Sequence, residues 1–215
     1  MRLKGCEYYF NKRGMFKKET VIDGKGHIMG RLASHVAKQL LSGHRIIVVR
    51  CERLMMSGSY QKNKLKFREY MHKTMLTNPK RSHRHYRSPS RIFFKAVRGM
   101  LPRKTDRAEQ AMGRLKVFEG IPNPYDKKKR MVVTDALKLL KVKSYRPFCE
   151  LRELCVRVGW KHDGVVERLE AKRVQRAKKY HESKVATQKL HDQKAKLQAS
   201  ASIKEINEKL AKFGY

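Results

Sequence analysis

From Thr20 to Cys51 the chain changes periodicity twice, and that order restricts the fold more than any other feature of the sequence. "VIDGKGHIMGRLASHVAKQL", Val21 to Leu40, begins as a short apolar strand, breaks at Gly24 and Gly26, and continues as a helix. Met29, Leu32, Ala33, Val36, Ala37 and Leu40 recur at spacings of three and four, so one helical face is apolar. Gly43 supplies a C-terminal stop. In "RIIVVRC", Arg45 to Cys51, the Ile46–Val49 run is continuous rather than alternating, the pattern of a strand covered on both faces in a parallel sheet. Strand, helix and strand then form a right-handed βαβ unit.

Further elements follow from the same signals. A third strand is expected at Leu115–Phe118. Helices are expected over Asn63–Met75, with Leu65, Tyr70, Met71 and Met75 on one side, and after Ser88 or Ser90, with Ile92, Phe93, Ala96 and Val97. Asp106–Arg114, Thr134–Leu140 and Phe148–Val158 also read as helical, the last ending at Gly159. A charged helix roughly 50 Å long runs from about Gly164 to Gln198, and Ala201–Phe213 forms a final one. The chain divides into a basic extension (1–19), an α/β core (20–160) with a basic insertion (60–104), and a charged helical extension (161–215).

A strand opening through glycines into a helix is also how a dinucleotide-binding unit begins. The spacing here is Gly24-x-Gly26-x-x-x-Gly30, looser than the usual fingerprint, yet Glu52 follows the second strand where a ribose-binding acid would stand. Against a cofactor, the chain offers few strands, no acid–base pair follows Glu52, and Lys25, His27 and Arg31 stud the turn. Three uses of the glycines stay open: a tight turn alone, a nucleic-acid phosphate at the helix amino terminus, or a free nucleotide.

Charge narrows the partner. Lys and Arg total 53 against 19 Asp and Glu, a net charge of +34, and a compact body so charged repels itself unless a polyanion accompanies it. Nucleic acid is the first candidate and an anionic membrane surface the second. No apolar run is long enough for a membrane helix. The excess is concentrated between Tyr60 and Lys104, where Glu69 alone opposes the cations and Phe67, Tyr70, Tyr86, Phe93 and Phe94 are interleaved. Basic residues neutralise phosphates and aromatic rings stack on unpaired bases. Tyr86, between Arg84 and Arg87 in the loop Asn78–Ser90, is the best stacking candidate, and His83 and His85 read as phosphate or base contacts.

Catalytic and metal chemistry find no support. There is no Gly-x-Ser-x-Gly and no Gly-Lys-Ser/Thr loop. Cys6, Cys51, Cys149 and Cys155 lack metal-ligand spacing, and Cys51 and Cys155 read as buried thiols. Neither a metal nor a cofactor is expected. The first residues contain Glu7 and Glu19 and lack the serines of a transit peptide, so they read as a basic extension.

"VIDGKGHIMGRLASHVAKQLLSG", "SPSRIFFKAVRGMLPRKTDR" and "LKVFEGIPNPYDKKKRMVV" together closely resemble the large-subunit ribosomal protein thirteen family. The resemblance covers Val21 to about Lys161 and is most specific in Ala96-Val-Arg-Gly-Met-Leu-Pro102. Asp126–Arg130 and the segment ending at Val158-Gly159-Trp160 resemble the archaeal and eukaryotic branch, and the long charged helix its eukaryotic members. The family implies a three-layer α/β/α fold with a small, mostly parallel sheet, no catalysis, and docking on large-subunit rRNA beside neighbouring ribosomal proteins. Its implied place is the cytosolic ribosome, with nucleolar passage during assembly and no membrane.

The RNA-facing candidates are therefore Lys25 and Arg31 at the helix opening; Lys62, Lys64, Arg68 and Lys73 in the basic helix; and Arg81, His83, Arg84, His85, Tyr86 and Arg87 in the loop. Arg91, Arg98, Arg103, Lys104 and Arg107 follow, and then the run Lys127, Lys128, Lys129 and Arg130. The sequence departs from the family at the first 19 residues, at Thr134-Asp135, where eukaryotic relatives tend to have Pro-Ala, and from about Lys172, where only composition agrees.

Overall fold

A computed structural model describes residues 19–199 and 201–214. Cys6 and all of the basic extension except Glu19 lie outside the described residues. Two compact units divide between Glu167 and Arg168. The strands are β1 (Thr20–Asp23), β2 (Ile46–Val49), β3 (Met55–Ser57), β4 (Leu115–Val117), β5 (Arg130–Met131) and β6 (Phe148–Glu150). The helices are α1 (Met29–Leu41), α2 (Tyr60–His72), α3 (Pro89–Gly99), α4 (Asp106–Gly113), α5 (Lys138–Lys141), α6 (Leu151–Val158), α7 (Asp163–Ala199) and α8 (Ala201–Lys212).

The α/β reading holds: four strands pair in parallel in the order β4-β2-β1-β5, and a long helix follows the core. Every residue of β1 and β2 is buried, as the unbroken apolar run requires. Their alternate side chains feed two clusters. Ile22, Ile46 and Val48 pack with Leu32, Val36 and Leu40 of α1, Phe93 and Val97 of α3, Ala108 and Ala111 of α4, and Leu151 and Leu154 of α6. Val21, Ile47 and Val49 face Ile121 and Tyr125 of the segment after β4. Caps fix the helix starts: Pro89 opens α3 behind Ser88, whose carbonyl accepts the Ile92 N–H, and the Thr105 hydroxyl caps α4.

Several boundaries differ from the sequence reading. The second strand stops at Val49 rather than Cys51, because Arg50 turns into the left-handed region (φ 57°), where its guanidinium pairs with Asp23. Cys51 then starts a short 3-10 turn. The helix expected from Asn63 begins at Tyr60, capped by Ser59, and ends at His72; only Asn63 is buried in it, while Leu65 and Met75 are exposed. Phe148–Glu150 is a strand, not the first turn of a helix, because it pairs antiparallel with β3. Thr134–Leu140 splits into a 3-10 turn (Thr134–Ala136) and α5. Arg130–Met131 becomes β5 by pairing with β1.

Cys51, Cys149 and Cys155 are free and buried. Burial pushes the Cys149 thiol up to about 11 and raises those of Cys51 and Cys155 as well. In α7, 37 residues long, the start is fastened by Arg152, whose guanidinium meets Asp163 at 2.6 Å and Glu167 at 2.9 Å. In the second unit Leu169, Val174, Leu190 and Leu197 of the helix are open to solvent.

His27 ties the turn after β1 to the far end of the core. The ring is wholly buried. Its Nε2 accepts the Val133 N–H at 3.0 Å, so Nδ1 carries the proton and donates to the Lys25 carbonyl at 3.1 Å. Burial lowers the pKa below the ordinary histidine value, so folding favours the neutral ring. That contribution is complete above the unfolded-state pKa, about 6.5, and is lost as pH falls below it towards the lowered folded-state value. His27→Gln should be less stable than the parent at pH 7.5, by about 1–3 kcal/mol, yet lose less stability than the parent between pH 7 and pH 5. Thermal denaturation across that range measures both, and parallel acid slopes would show that another group titrates.

Candidate nucleic-acid interface

The glycine turn decides between a cofactor cradle and internal scaffold. Gly24 lies so close to the end of β2 that a Cβ there would stand 3.0 Å from the carbonyl oxygens of Val49 and Arg50. Gly26 has φ +74°, a left-handed turn position. The crevice beyond β1, between β2 and β5, is where a doubly wound sheet would hold a ligand. Here the chain fills it: Ala136 O accepts the Ile28 N–H at 2.8 Å, Gly26 O accepts the Lys138 N–H at 2.9 Å, and the His27 ring bonds Val133. Glu52 is buried and accepts the Gly120 N–H at 3.0 Å. The turn is thus internal architecture, and Glu52 is a structural carboxylate rather than a ribose ligand.

The polar opening lies elsewhere. The end of α2, the loop after it and α3 enclose a groove of about 930 Å³. Lys73 and Arg81 line it with Arg84, Lys95, Arg98 and Arg103, and no carboxylate does. Thr74, Met75, Ser82, His83 and Tyr86 complete the wall. The loop is held in place by side chains of its neighbours. The Tyr70 hydroxyl donates to the Arg84 carbonyl at 2.8 Å. Lys95 bonds that hydroxyl and places Nζ 4.0 Å from the ring centroid, while His85 packs edge-on against the same ring at 4.6 Å. Ser82 Oγ accepts the Met75 N–H at 2.9 Å and donates to the Lys73 carbonyl. Asn78 closes the loop's first turn, accepting the Lys80 N–H.

The candidates chosen from sequence separate into groups. Lys73, Arg81, His83, Arg84, Tyr86, Arg98 and Arg103 meet at the groove. Lys104, with φ +65°, lies in an adjoining hollow of about 610 Å³ that shares Arg98 and Arg103 but also contains Asp106 and Glu109. Lys25, Arg31, Lys62, Arg68, Arg91 and Arg107 are exposed and line neither hollow; Lys64 is half-buried, 6.0 Å from the Tyr60 ring centroid. His85 serves as a loop support rather than a groove wall. Arg87 turns away and lies over Gly159, where a Cβ would come within 3.0 Å of its Nη1, beside the carboxyl end of α6 that a cation favours.

Lys127, Lys128, Lys129 and Arg130 sit at the β5 edge of the sheet, the opposite edge from β4. There Lys128 pairs with Glu19 at 2.6 Å, and Arg130 is half-buried and donates to the Asp126 carbonyl. Sequence reasoning does not single out Lys95. Its place three residues before Arg98 puts both on one side of α3, a signal masked by the apolar neighbours Phe93, Phe94, Ala96 and Val97. Among the described residues no group of three or more His, Cys, Asp or Glu could hold a metal ion, and no helix is long and apolar enough to cross a membrane.

Comparison with known proteins matches residues 17–124 to the family described as Ribosomal protein L13. Two proteins named Large ribosomal subunit protein uL13 are similar over most of their length. That of Tetrahymena thermophila is 53% identical over 201 residues, 94% of this chain and 100% of the relative. That of Dictyostelium discoideum is 55% identical over 165 residues, 77% of this chain and 88% of the relative.

The anchoring of the loop can be tested directly. Ser82→Ala removes both ties to the 73–75 segment and should speed early tryptic cleavage at Arg81 and Arg84 several-fold without shifting the melting temperature. Mass spectrometry of the first fragments provides the rate, and unchanged cleavage would show that Ser82 does not hold the loop.

Proposed function

The chain belongs to the ribosomal protein L13 family, and from that premise we propose that it is a non-catalytic, structural constituent of the large ribosomal subunit that binds and scaffolds large-subunit rRNA. Its partners are that rRNA and neighbouring ribosomal proteins. It works on the cytosolic ribosome and passes through the nucleolus during assembly. The core from residue 20 to 160 presents the RNA-binding surface through the basic insertion 60–104, and the charged helical extension from 161 reaches further RNA or protein.

One observation supports RNA binding above the others: the stretch from Lys73 to Arg103 brings six cations to one groove without a carboxylate among them. Such an arrangement is unfavourable by itself and is relieved by phosphates held close together. Four of the six are arginines, which can each take two phosphate oxygens at once. The exposed Lys25, Arg31, Lys62, Arg68, Arg91 and Arg107, with Lys64, supply further contacts outside the groove, and Lys127–Arg130 form a second contact at the β5 edge. Arg87 lies over Gly159 and Lys128 pairs with Glu19, so both contribute less.

Affinity for large-subunit rRNA should fall about 10³- to 10⁵-fold between 50 and 200 mM salt, the loss expected for six to ten phosphate contacts. The double substitution Arg84→Glu with Arg98→Glu should weaken binding and flatten that slope at an unchanged melting temperature. Arg87→Glu should instead lower the melting temperature and leave the slope nearly intact. Filter binding across a salt series measures the slopes, and a flat dependence in the parent protein would refute the phosphate contacts. The native protein should also sediment with the large subunit at moderate salt.

A further inference from the structure

We infer that the groove between α2, the following loop and α3 takes one or two unpaired nucleotides of a folded RNA, base inward and flanking phosphates at the rim, rather than the side of an RNA duplex. The inference rests on the RNA-binding function proposed above and adds which kind of RNA surface the groove recognises.

Size is the first ground. A volume of about 930 Å³ is at the upper end of pockets that enclose a small molecule, about 300–1,000 Å³. An A-form duplex offers convex phosphate ridges with its bases paired inside. It can rest on the rim of such a hollow but has nothing to put into it. An extruded nucleotide has.

Composition of the wall is the second. A site for phosphates alone needs only cations and amides. This groove also carries Met75, 47% exposed and thus open to a ligand, and the half-buried Tyr86. Neither is of use to a phosphate, whereas the face of a base stacks on a tyrosine ring or a guanidinium plane. Arg84, Arg98 and Arg103 then neutralise the phosphates on either side of the extruded nucleotide. Two hydrogen-bonding side chains, Thr74 and His83, also line the hollow and can meet base edges.

The surroundings favour a defined site. The Arg84 carbonyl, close in the chain to Tyr86, is fixed by the Tyr70 hydroxyl, and Lys95 braces that tyrosine. A wall that does not collapse onto itself leaves the hollow open for a ligand. On one side the adjoining hollow shares Arg98 and Arg103 but includes Asp106 and Glu109, so a phosphate chain meets like charge there. The strand is thereby confined to the carboxylate-free part.

The test uses the full chain and two fluorescent RNA hairpins of equal phosphate number: one an uninterrupted duplex, the other with a two-nucleotide bulge carrying 2-aminopurine. At 150 mM salt the bulged hairpin should bind about 5- to 150-fold tighter, the value of one base–aromatic stack, with a change in 2-aminopurine emission on binding. Tyr86→Ala should abolish both the preference and the emission change, and Tyr86→Phe should restore both. Equal affinity for the two hairpins, with the steep salt dependence of phosphate contacts, overturns the inference and leaves rRNA binding standing. Failure to bind either hairpin or large-subunit rRNA at low salt overturns both. A preference unchanged in Tyr86→Ala overturns the assignment of the base to this groove.

Discussion

Like charges facing one hollow repel, and the structure depends on something strong enough to hold them there. Six cations line the groove and no carboxylate relieves them, so the restoring force must come from packing. α3 supplies it. Phe93 and Val97 are completely buried against the sheet and α1, while Lys95 and Arg98 leave from the same helix towards the groove. Each buried apolar side chain contributes about 1.5–3 kcal/mol, whereas charges screened by water and salt repel weakly beyond a Debye length of about 8–10 Å. The well-packed helix therefore holds Lys95 and Arg98 in position, two of the six cations. Tyr70 extends the support to the loop itself, by a hydrogen bond to its backbone and a ring face for Lys95.

The same sheet shows how an α/β scaffold can lose its usual ligand position. A βαβ unit with a glycine turn leaves a crevice at the carboxyl end of its first strand. Here the chain between β5 and α5 folds back into that crevice and takes up its backbone groups, with His27 as the central polar link. The cationic groove lies off the sheet, on the insertion between β3 and β4, and the sheet and α1 support it.

What the sequence disclosed follows from where the signals lie. The βαβ unit, α3 and α4 were legible because each buries a periodic apolar face or has a capping residue at its start: Leu32 to Leu40 in α1, Pro89 behind Ser88, and Thr105 before Asp106. β3, β5 and β6 were not. They are two or three residues long and exist because another strand pairs with them, a long-range fact with no local pattern. The glycine turn stayed ambiguous because a tight turn and a phosphate cradle need the same residues; the buried contacts of Gly24 and His27 decided it. In the basic insertion, charge alone could not separate Arg84 from Arg87, three residues apart. One faces the groove, and the other covers the end of α6.

The link between His27 and Val133 joins residues 106 positions apart, and β1 obtains its second neighbour only from β5. During synthesis at about 5–20 residues per second, β1 and β2 leave the exit tunnel long before the segment that completes them. For that interval β1 and β2 have each other and α1 but lack β5 and the segment that fills the crevice, so this part of the core is completed only once Lys138 has emerged.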